Sequence, residues 1–163
     1  MPDPSPPRAP SIKPKVQLSA KQLVGFPIML LIPILALFGV FGESEAHARA
    51  KSASLEMMVS YPSRMHYRQV QSLQVTVRNL APTVADTVKV AFDTSYISRF
   101  TGVRFDPSAK TAYVVDLTDV KPSESRLISV ELEGQVYGSQ RSRVVARHGA
   151  DSAMVHLRTL VFP

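Results

Sequence analysis

Twenty consecutive residues without a charge, LVGFPIMLLIPILALFGVFG over residues 23–42, constrain this chain more than any other feature. At a helical rise of about 1.5 Å per residue, such a run is long enough to cross roughly 30 Å of hydrocarbon. It predicts one N-terminal transmembrane helix, with the rest of the chain divided between the two sides of a bilayer. Pro27 falls in the first turns of that helix, where a missing N–H matters little, whereas Pro33 removes an interior hydrogen bond and is expected to kink it. Ala36, Gly39 and Gly42 recur every three residues. On a continuous helix they form a shallow strip against which a second transmembrane helix packs. The span holds no Asp, Glu, Lys, Arg or His, which argues against an ion or proton path through it.

Orientation follows from the flanks. Arg8, Lys13, Lys15 and Lys21 precede the run against Asp3 alone, and they supply half of the formal net charge of +6. Glu43 and Glu45 follow it. An excess of Lys and Arg marks the cytoplasmic side, so the expected location is a bacterial inner membrane, N-terminus inside and C-terminal part in the periplasm. A cleaved signal peptide is the alternative, because Ala46-His47-Ala48 and Ala48-Arg49-Ala50 both have the A-x-A form. The apolar run is too long for a signal core and its polar lead too long for a signal n-region, which favours a retained anchor. Residues 1–22 form a cytoplasmic arm with prolines at 2, 4, 6, 7, 10 and 14, a spacing suited to extended polyproline and unable to build a core.

Beyond residue 42 the composition removes several function classes. With no cysteine there are no disulfides, iron–sulfur clusters or thiolate catalysis. The remaining positive charge is spread without interleaved aromatic residues, so nucleic acid is not an expected partner. No phosphate-binding loop, dinucleotide fingerprint, H-E-x-x-H or G-x-S-x-G is present, and Ser, His and Asp show no triad spacing. Neither enzymatic activity nor a cofactor nor a small-molecule substrate is expected. The one metal-ligating combination is Met65, His66, Met154 and His156, thioether and imidazole donors of the kind Cu(I) favours. Arg141, Arg143, Arg147 and Arg158 are candidates for a docking face on two adjacent strands, directed at an acidic partner or anionic headgroups.

From Leu55 the pattern has period two. Leu55, Met57, Val59 and Tyr61 alternate before Pro62 ends the run; Leu73, Val75 and Val77 alternate with Gln74, Thr76 and Arg78. Val88, Val90 and Phe92 follow, then Val103 and Phe105, then Tyr113, Val115 and Leu117, then Ile128, Val130 and Leu132. Two further candidates cover 141–147 and 153–162, and only 94–99 reads as a helical turn. About eight short strands separated by turn residues predict an all-β, Ig-like antiparallel β-sandwich over 55–163, joined to the anchor by a linker over 43–54.

Two of these segments, SLQVTVRNLAPTVADTVKVAF and DLTDVKPSESRLISVEL, together resemble the bacterial Ig-like modules of the CARDB type. In those modules a V-x-V-x-N strand precedes a divergent loop, and a Pro-Gly-Glu/Ser turn introduces the next long strand. Ser123 stands at the usual glycine position, a replacement that a type I turn tolerates. The resemblance implies an extracytoplasmic spacer or docking domain and brings no catalytic residues. The expected function is therefore that of a non-catalytic accessory or scaffolding subunit of an integral membrane complex, of the respiratory or photosynthetic kind, bound to the bilayer and to its partners. An autonomous adhesion-type surface module and a periplasmic copper carrier are the alternatives.

Overall fold

Residues 20–39 and 42–163 are described by the computed structural model, with side chains from residue 24 onward. The Pro-rich arm with Arg8, Lys13 and Lys15 lies outside the described residues, as does the side chain of Lys21. Helix α1 spans Ala20–Leu37 and carries Pro27 and Pro33 inside it. Its apolar side chains, Phe26, Met29, Leu30 and Leu37 among them, are exposed. Among the described residues no helix is long and apolar enough to cross a membrane.

The end of α1 corrects the expected span of 23–42. The Gly39 N–H donates to the Ala36 carbonyl (3.0 Å), and Gly39 has φ +70°. A glycine in the left-handed region is how helices commonly stop. Gly39 and Gly42 therefore lie beyond the helix, and with Ala36 they do not make a strip on one helical face.

The unit from Gly42 to Pro163 is built from nine strands and one helical turn. The strands are β1 (Ser44–Lys51), β2 (Leu55–His66), β3 (Val70–Asn79), β4 (Ala85–Phe92), β5 (Phe100–Asp106), β6 (Val114–Val120), β7 (Ser125–Gly134), β8 (Gly138–His148) and β9 (Asp151–Phe162). The turn α2 (Thr94–Ile97) is capped by Asp93, whose carboxylate accepts from the Ser95 N–H. One antiparallel layer runs β5-β7-β3-β2-β1 and the other β9-β8-β4-β6. A short parallel pairing, 64–66 of β2 with 160–162 of β9, joins them.

Alternation sets which side chains fill the space between the layers. Leu73, Val75, Val77, Val88, Val90, Ile128, Val130 and Leu132 are fully buried, with Phe92, Val115 and Val155 nearly so, and all belong to one apolar core. Gln74 and Arg78 face out. The sandwich read from the sequence is present, with eight strands in 55–163 and the helical turn where expected.

Three local readings need correction. The expected linker over 43–54 contains strand β1, paired with β2 along its length. Its inward residues are Ala46, Ala48 and Ala50, too small to produce a hydrophobic alternation that stands out. Pro62 does not end β2. It sits where β2 has left β3, whose last pair is Ser60 with Gln74, and before β2 reaches β9, so no ladder bond to β3 is lost there. Met65, read as part of a loop pair with His66, lies on this extension with its side chain fully buried.

Candidate functional site

Strands β8 and β9 pair in register from Gly138 with Val161 to His148 with Asp151. Because Gln140, Ser142, Val144 and Ala146 point into the core, Arg141, Arg143, Val145 and Arg147 share the outer face. On β9 the outer set is Met154, His156 and Arg158. Arg141 lies directly opposite Arg158, Arg143 opposite His156, and Val145 opposite Met154. All four arginines singled out in the sequence thus occupy one two-stranded face.

The neighbouring strand extends it. Lys89 of β4 pairs with Arg147, a second case of like charges directly opposed. Such pairs oppose folding unless an anion lies between them. On its other side Lys89 faces Asp116, but Asp116 is already held by Lys110 at 3.3 Å. Arg158 Nε donates to the Ser139 hydroxyl (3.0 Å), whereas Arg141, Arg143 and Arg147 make no ion pair among the described residues.

Between these cations lies an apolar floor made of Ala91, Val114, Val145 and Met154, and the whole forms a shallow groove of about 650 Å³. Lys89, Arg143 and Arg147 stand at its edges. Asp93 is the one carboxylate in its wall. Hydrogen bonds from the Ser95 hydroxyl and N–H, with the nearby Arg143 charge as a lesser cause, lower its pKa and keep it ionised. The groove can therefore hold an apolar side chain while anionic groups on either side meet guanidinium and ammonium donors. Lys89 was missed in the sequence. Its position between Val88 and Val90 marks it as outward, but nothing short of the strand order places β4 beside β8.

The proposed copper ligands do not converge. Met65 is buried in the core and His66 Nδ1 lies 3.3 Å from the Pro163 carbonyl oxygen, while Met154 and His156 project from the outer face of β9. Met65 pairs with Val161, seven residues from Met154 and so about 23 Å away along the strand. With Met65 inside the core, His66 beside Pro163 at the end of β2, and Met154 and His156 on the outer face of β9, the four donors cannot ligate one ion. Among the described residues no group of three His, Asp or Glu side chains is placed to hold a metal.

No family model matches this chain, and no curated protein matches it. Among solved structures it is similar to a CARDB domain from Pyrococcus furiosus, solved in complex with di-metal ions, with TM-score 0.46 and 11% identity over 69% of this chain and 94% of that one. It is also similar to the sulfur carrier protein SoxY from Chlorobium limicola f thiosulfatophilum, with TM-score 0.37 and 16% identity over 84% and 99% of the two chains. For domains 4 and 5 of the S-layer protein SbsC the values are 0.36 and 15% over 74% and 54%. Each of these TM-scores lies below 0.5, and the sandwich stands on its own strand order and core.

Proposed function

We propose that this protein is a non-catalytic docking subunit, held at a bacterial inner membrane by the charge-free run 23–42, whose β-sandwich binds an acidic partner surface outside the cytoplasm. The observation that carries the docking reading is the outer face of β8 and β9. There Arg141, Arg143 and Arg147 make no ion pair among the described residues, Arg141 is directly opposed to Arg158, and Arg147 is opposed to Lys89 of the adjoining β4 beside an apolar floor. An acidic surface presenting one apolar side chain satisfies both features, and its attraction falls with ionic strength.

Retention of the N-terminal segment is supported by β1. Cleavage after Ala48 or Ala50 would remove most of a strand that pairs with β2 from Ser44 to Lys51. Membership of a respiratory or photosynthetic complex remains part of the same proposal and rests on the anchor and the absence of catalytic motifs.

Co-purification from native membranes in mild detergent tests the reading. The wild type is expected to bring down a partner at low salt, and the triple variant Arg141→Glu/Arg143→Glu/Arg147→Glu to lose it while keeping its fold. A wild type that elutes as a free monomer defeats the subunit assignment in favour of an autonomous module, and a mature N-terminus at Arg49 or Lys51 defeats the anchor.

A further inference from the structure

The charge-free run ends at Gly42, and the next residue is fixed to the sandwich. Glu43 is hydrogen-bonded through one carboxylate oxygen to Gln69 and through the other to Gln71 Nε2 (2.8 Å), while Ser44 pairs with Arg64. The chain thus enters the domain at one pole, the end at which β2 finishes, β8 begins and β9 stops. Three segments meet there: the β2–β3 turn, the β7–β8 connection and the C-terminus.

These segments present apolar and aromatic side chains outward. Val70, Val136 and Tyr137 are 59%, 39% and 54% exposed. The Tyr137 ring lies 4.8 Å from that of Tyr67, and the Arg68 guanidinium sits 5.9 Å above the Tyr67 ring.

The backbone that carries them is held firmly. Tyr67 N–H donates to the Phe162 carbonyl and Arg68 N–H to the Gly134 carbonyl, both at 2.8 Å. The buried Gln140 amide donates to the carbonyls of Val136 and Tyr137. Of the nearby carboxylates, Glu43 is engaged by Gln69 and Gln71, and Glu133 accepts from Gln135.

We infer that this pole rests on the headgroup layer of an anionic bilayer, with Tyr67, Val70, Val136 and Tyr137 entering the interface and Arg68 meeting lipid phosphates. Tyrosine places its ring among acyl chains and its hydroxyl among headgroups, and arginine reaches the phosphates from an apolar base. The inference rests on the membrane anchoring proposed above: with α1 in lipid, Glu43 follows its last residue, Leu37, by only six positions and holds this pole near the bilayer surface.

The chain has no tryptophan, so one substitution creates a single fluorescent reporter. Full-length Tyr137→Trp and Val84→Trp are reconstituted into phosphatidylcholine vesicles with and without phosphatidylglycerol, each containing a headgroup-level quencher lipid. Val84 is 49% exposed and lies in the β3–β4 connection, near the Leu55 end of β2 and away from the pole. The Tyr137→Trp reporter is expected to be blue-shifted and quenched at least about twofold more than the Val84→Trp reporter. Adding Arg68→Glu is expected to reduce that difference only where phosphatidylglycerol is present. Vesicles that float with the protein but quench both reporters alike overturn the pole contact and leave a protein surface as its cover. Quenching indifferent to lipid charge with and without Arg68→Glu overturns the anionic-headgroup assignment. A chain that does not float with vesicles overturns the anchor as well.

Discussion

The carboxylate of Asp151 accepts hydrogen bonds from both the N–H (2.7 Å) and the hydroxyl (2.6 Å) of Ser54, a residue ninety-seven positions earlier. The Ser52 hydroxyl adds a third at 2.8 Å. One carboxylate thereby clasps the β1–β2 connection to the β8–β9 turn. The bonds from the Ser54 hydroxyl and N–H, and then from Ser52, bring its pKa down from an ordinary 3.8 to about 2. A depressed carboxyl stabilises the fold fully above its unfolded pKa, and that contribution is lost as pH falls through the folded value. The melting temperature of the wild type should exceed that of Asp151→Asn at pH 6, and the difference should shrink between pH 4 and pH 2. Parallel curves over that range would mean that the clasp does not carry the shift.

Ser123 offers a test in which a substitution improves the protein. The Glu124 N–H donates to the Lys121 carbonyl (3.1 Å), Pro122 is second in the turn, and Ser123 is third with φ +61°. Proline cannot take positive φ, so this is a type II turn, not the type I turn expected from the sequence, and its third position suits glycine. Ser123→Gly should raise the stability of the domain by about 0.5–1 kcal/mol in urea unfolding. Ser123→Val should lower it, because a β-branched residue is strained in that conformation.

What was legible in the sequence was whatever depends on period two and large side chains. Leu73, Val75, Val77, Ile128, Val130 and Leu132 declared the core because each alternates with a polar neighbour. Strand β1 did not declare itself, since alanines bury little area and give a weak signal even when they alternate without a break. Backbone conformation was equally hidden. A serine in a Pro-Ser turn is compatible with either turn type, and Gly39 reads as a small packing residue until its φ of +70° shows that it ends α1. The docking face was half legible: four arginines could be placed on two strands by parity, whereas Lys89 joined them only through the pairing of β4 with β8.

A buried polar chain tests how the two layers are locked together. The Thr159 hydroxyl donates to the Pro62 carbonyl at 2.8 Å, so the Tyr96 hydroxyl, 2.8 Å away, must donate its own proton to Thr159. The residues on α2, β9 and β2 are thus connected through one oxygen. Burial pushes the Tyr96 phenol up to about 12 against the opposing effect of the Thr159 bond, which keeps it neutral and available as a donor. The two ends of the chain are not equivalent. Tyr96→Phe removes one donor and leaves Thr159 bonded to Pro62, at a cost of about 1 kcal/mol. Thr159→Val strands both the Tyr96 hydroxyl and the Pro62 carbonyl, costing about 2–4 kcal/mol for two unpaired buried groups. In the double variant the phenol is gone as well, so its cost should fall short of the sum of the single costs. Urea unfolding of the four proteins measures this coupling. Equal costs for the two single variants, or strict additivity, would show that water or a shifted side chain replaces the lost partner.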